Sequence, residues 1–169
     1  DKQVTLKAAY LIDGKNVTVD SGTYASVTSD QAVFLVVNGG SLTISNATVN
    51  KSGDASTNSE QNAGDVSDDY NFYGLNSAIV VIGEGSKATV SGTTITANAS
   101  GSNAVFSSLS ASVEVSDTTI TTDGNSSRGL HATYAGTITG ADLTITTSGA
   151  HSAALATDRG SGTVTVTGT

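Results

Sequence analysis

The chain has 169 residues, of which 37% are apolar, 13% charged and 5% aromatic, with a net charge of -8. That length suits one domain; the charge is too sparse for a disordered acidic tail and has the wrong sign for a nucleic-acid surface, and no apolar run approaches the ~18–20 residues of a membrane helix. Cys, Pro, Met and Trp are all missing, so disulfides and thiolate metal sites are excluded.

Followed from its start, the chain alternates two kinds of short segment. AYLIDG, led by Ala8 or Ala9, precedes NVTVDSGTY, anchored on Val19. AVFLVVNGG, from Ala32, precedes SLTISNATV, anchored on Ile44. A non-repetitive stretch, Lys51 to Leu75, follows. The pair then returns as AIVVIGEG (Ala78) with KATVSGTTI (Val90), and as AVFSSLSA (Ala104) with SVEVSDTTI (Val115). It returns again as GLHATYAG (Gly129) with TITGADLTI (Gly140), and last as AALATDRG (Ala153) with TVTVTGT (Val166). The anchors stand 25, 46, 25, 25 and 26 residues apart. The one long step is an ordinary period plus about 21 residues.

Each unit therefore reads as an apolar strand, a Gly or Asn turn, a strand alternating Thr with Val or Ile, a polar corner and a Thr-Ile-Thr strand. Period-two alternation of β-branched residues between Gly/Asn/Asp punctuation indicates strands, and no helical periodicity is sustained. Three short strands per repeat predict an all-β fold, a parallel β-solenoid of about six coils of ~25 residues stacked at ~4.8 Å. The whole chain, 1–169, is one domain with a loop insertion at 51–75 between the second and third coils.

The segments SNAVFSSLSASVEVSDTTITTDG and HSAALATDRGSGTVTVTG resemble the right-handed parallel β-helix of bacterial adhesin-like surface proteins and autotransporter passengers. The resemblance implies an extracellular, cell-surface module that binds a host or environmental glycan or a surface protein. It implies no cofactor. The sixth unit stops before its Thr-Ile-Thr strand, so further coils of a longer surface protein, or end-to-end or lateral self-association, are expected at that uncapped edge.

Alternation fixes most side-chain directions. Val49, Ile95, Ile120 and Ile145 form one interior ladder; Ile44, Val90, Val115 and Val166 form another, beside Leu42, Ala88, Val113, Ile138 and Val164. Gly140 should thin the core. In the apolar strand the favoured register turns Val33 and Leu35 inward with Ile79 and Val81, Val105 and Ser107, Leu130 and Ala132, and Ala154 and Ala156. Tyr10, Phe34, Val80, Phe106, His131 and Leu155 then share an outward column, beside Ile12, Val36, Ile82, Ser108, Thr133 and Thr157. The competing register buries Phe34 and Phe106. An exposed apolar face of this size needs a cover, which the insertion could supply with Tyr70, Phe72, Tyr73 and Leu75.

Chemistry is sparse. Pectin lyases and polygalacturonases also resemble this architecture, but no Gly-His-Gly segment, Arg-x-Lys pair or G-x-S-x-G elbow is present. His131 and His151 occupy different repeat positions, and Asp68-Asp69 stands alone as a carboxylate pair, so no enzyme is expected. The spacing of Asp65, Asp68, Asp69 and Asn71 does not fit a calcium loop, and no metal is expected. Arg128 and Arg159 read as solvent-facing corner residues. For a ligand, aromatic faces stack on sugars and carboxylates accept their hydroxyls. The candidates are Asp68, Asp69, Tyr70, Phe72 and Tyr73 in the insertion, then His131 and Tyr134. A second possibility is ice binding by the paired outward rows Thr94/Thr96, Thr119/Thr121 and Thr144/Thr146, which resemble the flat faces of ice-binding β-solenoids.

Overall fold

A computed structural model describes residues 3–169. The first coil is β1 (Lys7–Asp13), β2 (Asn16–Asp20) and β3 (Thr23–Ser26), and the second is β4 (Gln31–Val37), β5 (Ser41–Ser45) and β6 (Thr48–Ser52). A single helical turn, α1 (Asp68–Asn71), interrupts the repeat. The third coil is β7 (Ile79–Ile82), β8 (Lys87–Ser91) and β9 (Thr94–Asn98), and the fourth is β10 (Val105–Ser108), β11 (Ser112–Ser116) and β12 (Thr119–Thr122). The fifth is β13 (Leu130–Ala132), β14 (Thr137–Ala141) and β15 (Thr144–Thr147); the sixth holds β16 (Leu155–Thr157) and β17 (Thr163–Thr167).

Every strand pairs in parallel with its counterpart one coil away, giving two six-stranded sheets and one of five strands. The first sheet contains β1, β4, β7, β10, β13 and β16; the second runs from β2 to β17 and the third from β3 to β15. The chain is a parallel β-solenoid, as the period predicts. Its backbone groups are satisfied coil to coil, so β-branched residues can line an interior with no orphaned amides.

The second and third sheets stack in the expected register. Val19, Ile44, Val90, Val115, Gly140 and Val166 lie in one column. Val49, Ile95, Ile120 and Ile145 lie in another, topped by Tyr24. Gly140 does not thin the core. A Cβ there would lie 2.7 Å from Leu143 Cδ1 and 3.1 Å from Val166 Cγ1. Leu143, at a corner where other coils carry Ala47, Thr93 and Thr118, fills the space that Gly140 leaves.

The first sheet divides the two expected registers between its halves. Ile79, Val81, Val105, Leu130 and Ala132 join the main core, while Val80 and Phe106 belong to a separate cluster on the other side. In the first two coils the register is the opposite. Phe34 pairs with Ile79 and Leu35 with Val80, so Phe34, Val36 and Ile12 point inward and Leu35 outward. The cause is a bulge: the amides of Val33 and Phe34 both donate to Ala78 O at 3.0 Å. Val33 and Phe34 both face the core as a result, and the extra residue reverses the side chains that follow it in β4, with β1 paired in the same register. Tyr10 stacks on Phe34 with ring centroids 5.2 Å apart and meets Tyr24 edge-on. At the other end Leu155 pairs with Leu130, not with His131, and lines a cavity of about 460 Å³ with Leu143, Ile145 and Val166.

The insertion starts later than expected. Lys51 and Ser52 belong to β6, and Ala55 N still bonds to Ser100 O at 3.2 Å. Lys51 points into the core and is fully buried, its ammonium donating to the carbonyls of Thr28 (3.0 Å), Gly53 (3.2 Å) and Ser52. Burial pushes its pKa down to about 8 against the pull of Asp30 and Asp54. Asn76 closes the base from the other side: its amide donates to Gly53 O and Ser100 O and its oxygen accepts from Asp30 N. These two side chains satisfy carbonyls at the point where the chain leaves the coil-to-coil ladder.

Candidate functional site

The insertion folds back over the outward apolar column of the first sheet. Gly74 lies flat on Phe106, where a Cβ would come within 2.3 Å of the ring. Its φ of 78° also favours glycine. Thr133 donates through Oγ1 to Phe72 O at 2.9 Å. Above this contact Val66, Tyr70 and Leu75 form a small core with Val4, Leu6 and Ala55. The cover therefore includes residues 4–6, which the sequence pattern did not flag.

Burial removes two of the expected ligand residues from the surface. Tyr70 is fully buried, and its hydroxyl donates to Asp30 Oδ1 at 2.6 Å while accepting from Ser56 N at 3.0 Å. Burial alone would raise the Asp30 pKa, but the Ser56 and Tyr70 hydrogen bonds hold it below the usual value. His131 lies beneath the cover, edge-on to Phe106 at 5.3 Å, with neither ring nitrogen hydrogen-bonded. Burial, then the nearby Arg128 charge, pushes its pKa down to about 3, so it is neutral.

Arg128 is not a free corner residue. It donates through Nη1 to Asn71 Oδ1 at 2.5 Å and tethers the insertion to the fifth coil. Burial lowers its pKa while Asp65 and Asp158 oppose that. Asp65 accepts from Ser126 Oγ and from Val66 N, and those hydrogen bonds outweigh burial to keep it ionised.

The remaining candidates fall into two places. Asp68 and Asp69 border a polar cleft of about 400 Å³ at the outer end of the insertion, with Thr57, Asn58, Glu60 and Gln61. Phe72, Tyr73 and Tyr134 lie instead at the seam where the insertion meets the fifth and sixth coils. Tyr73 and Tyr134, both half-buried, stack with centroids 5.7 Å apart and planes 23° from parallel. The Tyr134 pKa is raised, chiefly by its hydrogen bond with Tyr73. The Arg159 guanidinium sits over the Phe72 ring at 4.4 Å. No three of His, Asp and Glu converge to hold a metal among the described residues.

Tyr134 is held in an unusual backbone conformation. The turn after each first-sheet strand is left-handed, and Gly14, Asn38, Gly39, Gly83 and Gly160 fill it in other coils. The fourth and fifth coils place Leu109 (φ 52°) and Tyr134 (φ 43°) there. A bulky residue in this region costs about 1–2 kcal/mol, and such strain concentrates at ligand clamps and other functional sites. Gly160 accommodates the ring, since a Cβ there would stand 2.7 Å from Tyr134 Cδ1. Aligning the six units could have exposed Tyr134 as a bulky residue in a glycine slot. Nothing in the pattern signals that Arg159 meets Phe72.

On the third sheet, Thr94, Thr119 and Thr144 continue an outward column that begins with Thr23 and Thr48. The neighbouring column of Thr96, Thr121 and Thr146 is preceded by Ala25 and Asn50. The chain shows no match to family models, to curated proteins or to solved structures.

Proposed function

We propose that this solenoid is a non-enzymatic recognition module of a bacterial surface protein, adhesin-like in role, and that it binds a glycan through its lateral face at the seam of Phe72, Tyr73 and Tyr134. The observation that carries this reading is the half-exposed Tyr73–Tyr134 stack, with Tyr134 in a left-handed backbone conformation. Rigid amphipathic rings offer a stacking face for a pyranose, and their hydroxyls offer hydrogen bonds at low entropic cost. The solenoid behind them fixes both rings, since one is carried by stacked coils and the other by an insertion pinned through Arg128, Asn76 and Gly74. The titratable groups fit a binding role better than catalysis: His131 is buried and neutral, while Asp30 and Asp65 serve as hydrogen-bond acceptors in the scaffold.

A glycan array probed with the wild-type chain and with a Tyr73→Ala/Tyr134→Ala variant tests this. Binding by the wild type that the variant loses, with its circular dichroism retained, supports the seam. Equal binding by both, or none by either, rejects it.

The unbroken five-residue Thr column supports a second reading, ice binding by the third sheet. Thermal hysteresis that vanishes in Thr94→Tyr/Thr119→Tyr would favour it over the glycan reading.

A further inference from the structure

We infer that the saccharide taken by this seam carries a carboxylate, with Arg159 as its anion contact; the inference rests on the glycan reading above. Arg159 lies beside the tyrosine pair: Tyr134 N donates to Arg159 O at 2.6 Å, and Phe72, under the guanidinium, adjoins Tyr73 in the chain. The aromatic ledge and the cation therefore share one patch. The cation–π contact with Phe72 holds the guanidinium over the ring, 4.4 Å from its centroid. Its N–H donors meet no acceptor among the described residues. Asp158, the adjacent acid, accepts from Arg159's own backbone N–H at 2.9 Å. Arg128 makes the contrast, since it is largely buried and committed to Asn71 and Ser126 O.

A guanidinium held in the open matches a carboxylate in a two-pronged hydrogen bond, which a neutral hydroxyl cannot reciprocate. A sugar ring lying on the tyrosine ledge would bring a ring carboxylate towards that fork. The residues thus specify two features of one ligand, a stacking face and an anion.

The test uses calorimetric titration of the full chain with galacturonate, glucuronate and sialic-acid-terminated oligosaccharides, each beside its methyl ester. The result expected is that at least one free acid binds about tenfold tighter than its ester, the size of one charged hydrogen bond. Arg159→Gln should abolish that difference by weakening the free acid about tenfold and the ester far less, with amide exchange in the insertion unaltered. The inference is overturned if acids and esters bind alike. Equal loss of both by Arg159→Gln also overturns it, because the residue would then act only on the scaffold. Polyglutamate binding as tightly as the uronates would show an anion site with no sugar selectivity, and overturns it too. Neutral sugars that bind on the array and need Tyr73 and Tyr134, with no preference for acids, leave the glycan reading standing and reject this one. Absence of any saccharide binding rejects both.

Discussion

Gly140 and Leu143 make a quantitative test of whether the coils are interchangeable packing units. In the fourth coil the equivalent positions are Val115 and Thr118, and both are buried. Thr118 donates to Ser116 O at 2.7 Å, as Thr93 does to Ser91 O. Transplanting that pair means making Gly140→Val and Leu143→Thr together. Alone, Gly140→Val drives a side chain into Leu143 and Val166, an overpacking that costs about 1–3 kcal/mol. Alone, Leu143→Thr removes a buried Leu and leaves a void, costing about 2–3 kcal/mol, the lower part of the range for large-to-small core changes. In combination the new Val occupies that void and the introduced threonine hydroxyl can donate to Ala141 O, so the double variant should lie within about 1 kcal/mol of the wild type. The coupling energy is then about 2 kcal/mol or more. Denaturant unfolding followed by circular dichroism measures the three variants, and amide exchange in β14 and β15 shows that the fifth coil carries the response. A double variant as unstable as the sum of its singles would refute the complementarity.

Three further outcomes follow from the insertion and its base. His131 has a folded pKa of about 3 against an unfolded value near 6.5, so the unfolded chain takes up the proton first. Stability is therefore full above pH ~6.5 and declines towards pH ~3, by about 2 kcal/mol at pH 5. His131→Phe should flatten that part of the pH profile, and an unchanged slope would show that the imidazole is not under the cover. Gly74→Ala, with its Cβ against Phe106 at a positive φ, should weaken docking by about 2 kcal/mol or more. Limited proteolysis around Asn62–Gly64 is the readout, with the coils themselves still protected. Lys51 has a folded pKa of about 8, below its unfolded value, so its contribution makes stability rise between pH ~8 and pH ~10. Lys51→Met should remove that rise in denaturant midpoints measured across the range.

Much of this molecule was legible in one dimension. A 25-residue period repeats three strands, and parallel stacking superimposes like residues, so the ladders of Val49, Ile95, Ile120 and Ile145 could be named from their spacing alone. The tertiary structure decided what depends on one residue more or less, or on contacts between distant segments. The bulge at Val33–Phe34 reversed the first sheet's N-terminal half, because alternation has a period of two and a single insertion inverts it. Leu143 filled the space of Gly140 from a different corner, a compensation across the interior that a column-by-column reading treats as two unrelated residues. Tyr70 and His131 looked available and proved buried, because the cover that hides them is itself non-repetitive. Arg159 met Phe72 from the far end of the chain, with three coils between it and the insertion. Repetition determines which residues of successive coils lie over one another, whereas docking of the unique segment depends on shape and hydrogen bonds that exist only once the coils are stacked.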